Sequence, residues 1–146
     1  MSHRWQAFLL TFAQFSAILG VLGSGPIRGL LWPAWSVLVL VVAWIGWAFH
    51  ALGPGNATVL PLPRKQHVLV YHGPYRFVRH PMYTGVLLAA LACALGAPRP
   101  WRWAWTLVLV GVLIAKIRFE EQALVEKYGS GPLAKLPRWR LVPGLW

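Results

Sequence analysis

The sequence predicts an all-α, polytopic membrane protein with about four transmembrane helices and a polar segment on the cytoplasmic side. Of its 146 residues, 58% are hydrophobic and only 12% are charged, whereas a soluble domain is about half apolar and a quarter charged. A helix needs roughly 20 apolar residues to cross the hydrocarbon core of a bilayer. Four segments approach that length: residues 5–22, 30–52, 82–97 and 101–118.

The four predicted helices are marked by different features of the sequence. Residues 5–22 lack a small-residue cleavage site and form a longer apolar run than a signal peptide does, so we expect a retained helix. Residues 30–52 form the longest apolar run. The Gly- and Pro-containing turn at residues 96–100 predicts a tight hairpin between the last two helices. Three tryptophans would then form an aromatic belt at the interface: Trp101, Trp103 and Trp105.

The distribution of Lys and Arg predicts the orientation in the membrane. The formal net charge is +11, and with four spans eleven basic residues fall on one side and three on the other. By the positive-inside rule, both termini and the 53–81 loop lie in the cytoplasm, at the inner membrane if the source is bacterial. The basic residues interrupt apolar runs, so they predict a lipid bilayer as partner and no nucleic acid.

Several reaction classes are excluded by the residues that the chain lacks. Its only acidic residues are Glu120, Glu121 and Glu126, so it has no Asp for a Ser-His-Asp triad. Its single cysteine, Cys93, cannot form an intramolecular disulfide or a cysteine zinc cluster. The histidine spacing does not favour a metal site, and we predict no metal.

Two polar segments carry the remaining chemistry. The first, residues 53–83, is interrupted by proline and glycine, which disfavours a long helix, and residues 68–70 could form a short extended piece. The second, KIRFEEQALVEKYG, continues the fourth helix and places Lys116 one turn from Glu120. Gly129, Gly131 and Pro132 are predicted to end it.

The string HVLVYHGPYRFVRHPMYTG at residues 67–85, followed by RFEEQALVEKYG at residues 118–129, resembles a known family. It is similar to the membrane-embedded S-adenosylmethionine-dependent methyltransferases typified by isoprenylcysteine carboxyl methyltransferase, a pattern shared by the phospholipid N-methyltransferases. The signature region, residues 67–129, lies within one predicted domain covering residues 1–146.

The resemblance implies S-adenosyl-L-methionine as cofactor, held between the last two helices and capped by the cytoplasmic segment. His80 and the start of the third helix would offer donors to its carboxylate, and a glutamate would accept from its ammonium or ribose. By position, the resemblance implies this cofactor-binding set: His67, Val68, Leu69, Val70, Tyr75, His80, Pro81, Met82, Tyr83 and Glu120.

The methyl acceptor is expected to be lipophilic, with a carboxylate slightly preferred. Lys116 occupies the place where members that methylate carboxylates carry a substrate-contacting arginine, and Arg118 is close by. An amine acceptor would instead have to lose a proton, and Glu121 or His80 could accept it. The predicted catalytic residues are therefore Lys116, Arg118 and Glu121.

The tail departs from the family pattern, because Pro132 and Lys135 stand where members usually carry two tyrosines. This departure bears on the acceptor more than on the cofactor. Two other classes of function stay open at this point. One is a small transporter or channel, which needs ionisable residues at membrane depth. The other is a noncatalytic membrane scaffold that kept the cofactor-binding fold.

Overall fold

The computed structural model describes residues 3–56, 58, 60–62, 68–144 and 146. Over these residues the chain forms five α-helices, two 310 helices and no strand, so the all-α prediction is confirmed. The α-helices are α1 (His3–Gly23), α2 (Trp32–Leu52), α3 (Pro81–Gly96), α4 (Pro100–Tyr128) and α5 (Ser130–Leu133), and the 310 helices are Ile27–Gly29 and Gly73–Arg76.

Proline and glycine set several of the helix ends. Pro33, Pro81 and Pro100 lie in the first turns of α2, α3 and α4, where a missing N–H costs no intrahelical hydrogen bond. Gly53 and Gly129 follow α2 and α4 with φ of 74° and 73°, a left-handed backbone that glycine adopts without strain. The helix over residues 30–52 accordingly begins at Trp32, just before its proline.

The end of α4 differs from the prediction. The helix continues unbroken to Tyr128 and is ended by Gly129 alone. Gly131 and Pro132, predicted as terminators, instead lie inside the short helix α5. A proline is tolerated there because the first turn of a helix needs no N–H donor at that position.

The helices pack as two pairs. α1 packs along α4 and α2 along α3, contacts between α3 and α4 join the pairs, and α1 scarcely touches α2. Close packing depends on small residues, since a Cβ at Gly85 would overlap the Ile45 side chain. The buried core includes Leu109, Leu113 and Ile117 on α4, none of which is exposed.

Much of the apolar surface faces outward. α1 and α2 are each long and apolar enough to cross a membrane, whereas the apolar helix α3 has 16 residues. Large side chains stand exposed along both long helices, such as Phe12 at 64% and Trp32 at 80%. Contiguous apolar surface of this kind is stable against lipid rather than water. The structure therefore supports membrane insertion through two helices, and four spans stay a prediction.

Arg102 joins the ends of two helices. Its guanidinium is 1% exposed and donates to the carbonyl oxygens of Gly25 and Ala97, both at 2.8 Å. These oxygens lie just past the C-terminal ends of α1 and α3, where the helix dipole is negative. From sequence, Arg102 is only one of the three basic residues predicted on the non-cytoplasmic side. In the structure it links the C-terminal ends of α1 and α3.

Candidate functional site

A cavity of about 280 Å³ opens at the end of the bundle where α3 begins. It lies among α1, α2, α3, α4 and the segment between α2 and α3. Apolar side chains form most of its wall. The polar members of its lining are Gln14, Asn56, Thr58, Tyr75, Arg79, His80, Tyr83, Lys116 and Glu120.

The chain after α5 fixes the start of α3. The N–H groups of Arg79 and His80 donate to the carbonyl oxygens of Trp139 and Arg140 at 2.9 and 3.0 Å. The Thr84 hydroxyl donates to the Leu141 carbonyl at 2.6 Å. The backbone around His80 is therefore fixed both by α3 and by the tail, the chain that follows α5.

His80 is the most constrained polar group of the cavity. Its side chain is 8% exposed and stacks on the Tyr83 ring, with the centroids 5.6 Å apart. Its Nδ1 lies 3.7 Å from Glu120 Oε2, and its Nε2 lies 3.7 Å from Glu121 Oε1. Nε2 has no hydrogen-bond partner in the described part of the chain. Nε2 is thus turned toward Glu121, which does not line the cavity, and Nδ1 toward Glu120, which does.

Glu121 anchors the tail to α4 behind His80. It accepts from Arg79 Nη1 at 3.1 Å and from Arg140 Nε at 2.8 Å. Burial opposes ionisation, but His80 and Arg140 outweigh it and lower the pKa of the Glu121 carboxyl to about 2. Because it is ionised at neutral pH and bound to two guanidinium groups, Glu121 acts as a structural anion in this arrangement.

Glu120 is the carboxylate that faces the cavity. Its Oε2 accepts from the Tyr83 hydroxyl at 3.1 Å. Burial, and secondarily the charge of Glu120, raise the pKa of Tyr75 well above its usual value. Tyr75 therefore keeps its proton and can donate a hydrogen bond. The pair of Glu120 and Tyr75 offers an acceptor and a donor to the same space.

Lys116 connects the cavity to α1. It is 2% exposed, donates from Nζ to Gln14 Oε1 at 2.6 Å, and lies 5.4 Å from the centre of the Tyr83 ring. Gln14 is a polar residue in the apolar helix α1, and it serves as an interhelical hydrogen-bonding group. The result is a polar cluster contributed by α1, α3 and α4.

The structure brings most of the predicted site residues to this cavity. Those that line it are Leu69, Val70, Tyr75, His80, Met82, Tyr83, Lys116 and Glu120.

The other predicted residues lie elsewhere. Val68 is 65% exposed, Pro81 is buried at the start of α3, and Glu121 lies behind His80. Arg118, predicted as catalytic, lies on an exposed face of α4 and does not line the cavity, because it is two residues from Lys116 on a helix. His67 lies outside the described residues. No cluster of three or more His, Cys, Asp or Glu side chains able to hold a metal occurs within the part of the chain described.

Sequence reasoning missed several members of the site. Asn56, just after α2, accepts from the Val68 N–H at 2.8 Å and lines the cavity. Arg79 reaches both Glu121 and the cavity. Arg140 comes from the tail, far along the chain from the motif that it supports. One sequence signal could have indicated the two arginines. The chain has only three acidic residues, so the adjacent Glu120 and Glu121 are expected to pair with arginine side chains.

The comparison with known families agrees with this geometry. The family model described as phospholipid methyltransferase matches residues 30–131. The match includes the motif around His80 and the two glutamates, and excludes α1 and the tail that packs on α3. No curated protein and no solved structure shows significant similarity to the chain. The family resemblance seen in the sequence is thereby confirmed, and the chain belongs to the phospholipid methyltransferase family.

Proposed function

We propose that the protein is an integral-membrane methyltransferase that uses S-adenosyl-L-methionine and methylates a lipid-borne acceptor. Family membership implies methyl transfer and a membrane setting. The observation that carries the finer proposal is the pair of His80 and Glu120, which both line the cavity, with His80 Nδ1 3.7 Å from Glu120 Oε2. That pair suits a ligand that carries both an anionic and a cationic group.

The described residues fit this cofactor in chemistry. His80 offers a donor to its carboxylate, and Glu120 offers an acceptor to its ammonium or ribose. Tyr75 and Tyr83 offer rings and hydroxyls, and Leu69 and Val70 offer an apolar wall. The cavity, at about 280 Å³, stands just below the range of roughly 300–1,000 Å³ for ligand sites. When bound, the cofactor supplies a methyl group that is open to in-line attack.

The residues of the chain would contribute to the reaction by positioning the acceptor and by excluding water from the cavity. An in-line displacement is accelerated chiefly by holding the nucleophile about 3–3.5 Å from the reacting atom and excluding water. Lys116 is buried at the wall of the cavity, where a cation orients a carboxylate acceptor without taking or giving a proton. This supports a carboxylate as the preferred acceptor. Arg118, exposed on α4, is not needed for that role.

An amine acceptor is the alternative, and the matched family favours it through its description as phospholipid methyltransferase. A base would then have to take a proton from the ammonium group. His80 and Glu120 face the cavity, whereas Glu121 is bound to Arg79 and Arg140. The geometry therefore favours His80 or Glu120 over the Glu121 inferred from sequence.

We further propose four membrane spans, formed by α1, α2, α3 and the first part of α4, with both termini and the site on the cytoplasmic side. The eleven-to-three distribution of basic residues supports this orientation. Reporter fusions after Gly25 and after Ala97 test it. Both should report the non-cytoplasmic side, and a cytoplasmic signal at either position would refute the topology.

The activity is tested by incubating purified protein in a lipid extract with isotopically labelled S-adenosylmethionine and identifying the labelled product. Binding of S-adenosylhomocysteine is measured in parallel. Labelled lipid supports the proposal. Binding without any labelled product would indicate a degenerate enzyme, and neither binding nor product would favour the scaffold interpretation.

A further inference from the structure

A second cavity, of about 380 Å³, continues from the candidate site toward the opposite end of the bundle. It lies among α1, α2, α3 and α4. Ile45 and Val86 line both cavities, so the two spaces meet at these side chains. We call the second cavity the apolar slot, because all of its described lining residues are hydrocarbon or aromatic side chains except Cys93.

The slot has a defined length and a defined far end. On α2 it runs from Ile45 to Trp35, ten residues of helix, or about 15 Å. On α3 it runs from Val86 to Cys93, seven residues, or about 10 Å. Ile27, in the 310 helix that joins α1 to α2, lines its far end.

The slot is also accessible from the bilayer, between α1 and α2. α1 packs on α4 and α2 packs on α3, but α1 and α2 scarcely touch. The gap between them faces the surroundings of the bundle, where both helices expose large apolar side chains. A protein interior contains few voids larger than a water molecule, so an apolar space of this size open to lipid will be filled by hydrocarbon.

We propose that the apolar slot binds the hydrocarbon chain of the methyl acceptor and sets the chain length beyond which added carbons no longer raise kcat/KM. This inference rests on the proposed function. The polar cavity holds the acceptor's reactive head group, and the chain passes between Ile45 and Val86 into the slot. None of its described lining residues is charged, and the indole N–H of Trp35 and the thiol of Cys93 are the only polar groups on their side chains.

The helix geometry gives the expected length. An extended chain of three bonds per residue spans about 3.3–3.6 Å per residue, or roughly 1.2 Å per bond. A slot of about 10–15 Å therefore takes roughly nine to twelve carbons beyond Ile45 and Val86. Within that range, each added methylene should raise kcat/KM about fourfold. Longer chains must leave through the gap between α1 and α2 and should gain nothing further.

Two substitutions at different depths test the slot. Ala89 lies three residues beyond Val86 and Cys93 lies seven beyond it, and both line the slot. Ala89→Phe should block it near the site, and Cys93→Phe should block it about 6 Å deeper. Ala104→Phe is the matched control, since Ala104 is exposed on α4 and lines neither cavity. Ala89→Leu provides a milder block if the phenylalanine variant unfolds.

The acceptors are two single-chain series from hexyl to hexadecyl: N-acetyl-S-alkylcysteines, which present a carboxylate, and alkyl phosphoethanolamines, which present an amine. We expect Ala89→Phe to lose activity on all but the shortest chains, Cys93→Phe to lose it only on longer ones, and Ala104→Phe to match the unsubstituted protein. Chain-length profiles that coincide in all variants would overturn the inference.

A second measurement separates the slot from the proposed function. The same acceptors with a terminal diazirine are photocrosslinked to the protein in detergent, and the labelled residues are mapped. We expect label at residues 86–93 and 18–22, lost in Ala89→Phe. If the unsubstituted protein methylates neither series, the proposed function fails, while the mapped label still decides the slot. Label in the slot with unchanged chain-length profiles would mean that a bystander lipid fills it, and would refute chain-length selection.

Discussion

Lys116 on α4 donates a 2.6 Å hydrogen bond to the side-chain oxygen of Gln14 on α1, with both side chains buried. Gln14 lies outside residues 30–131, which match the family model. The polar cluster at the candidate site is therefore completed by a helix that the shared part of the family does not include. Lys116 lines the cavity, so α1, through Gln14, also positions the positive charge that an acceptor would meet there.

The first prediction concerns this pair. Gln14→Met removes the acceptor of a buried donor and should destabilise the protein by about 1–3 kcal/mol. Lys116→Met should also destabilise it. The double variant should cost less than the sum of the two, because replacing both partners by apolar groups leaves neither member of this hydrogen bond unpaired. Unfolding of the four proteins in one detergent measures the coupling, and strictly additive effects would show that the bond contributes no coupling energy.

The second prediction concerns the cofactor. If His80 and Glu120 contact it, each change to Ala removes a charge-assisted hydrogen bond worth about 1.5–3 kcal/mol, which is roughly ten- to a hundredfold in affinity. His50→Ala is the control, since His50 is exposed at the end of α2 and does not line the cavity. Calorimetry with S-adenosylhomocysteine in detergent measures all three. Equal affinities would remove His80 and Glu120 from the cofactor site.

The helix positions were largely predictable from sequence, whereas the partners of the charged residues were not. Pro33, Pro81 and Pro100 each begin a helix close to the predicted start, because proline is favoured in a first turn. The pairing of Glu121 with Arg140 brings α4 to the tail. The periodicity and spacing of residues in the sequence cannot predict such a contact, because it depends on how the tail folds over α3.

The same limit applies to Arg102. Its sequence context, between Trp101 and Trp103, is typical of the membrane interface, yet its guanidinium turns inward to carbonyl oxygens beyond α1 and α3. The carbonyl groups that it satisfies become available only once three helices have packed. Lys116 likewise gains its Gln14 partner only through packing of α1 on α4.

The third prediction follows from Arg102. Arg102→Gln keeps a polar side chain but cannot reach the carbonyl oxygens of both Gly25 and Ala97, and it removes the positive charge at two helix ends. Hydrogen bonds to a charged group are each worth about 1.5–3 kcal/mol, so we expect a loss of about 3 kcal/mol or more. Arg99→Gln, at an exposed neighbouring position, should be nearly silent. Similar unfolding temperatures for both variants would contradict this role.

The fourth prediction concerns acid stability. The pKa of Glu121 is lowered from its usual 4.5 to about 2 in the folded protein. Its ionised form therefore stabilises the fold fully above pH 4.5, and this contribution is lost as the pH falls from 4.5 toward 2. Glu121→Gln should lower stability at neutral pH and flatten its dependence on pH across that window. Glu126→Gln, exposed near the end of α4, should keep the original pH dependence, measured by denaturant unfolding.

The last prediction separates the two acceptor chemistries. If the acceptor presents a carboxylate, Lys116 acts as a fixed cation that orients it. Lys116→Arg should then keep much of the activity and Lys116→Met should lose most of it, with cofactor affinity little changed in either. If the acceptor is an amine, a nearby cation opposes its approach, so Lys116→Met should be neutral or faster. Because Lys116→Met also affects packing with Gln14, turnover is compared with that of Gln14→Met, which disturbs the same contact and keeps the charge. Undiminished turnover of Lys116→Met on total lipid extract would replace the carboxylate assignment with the amine one.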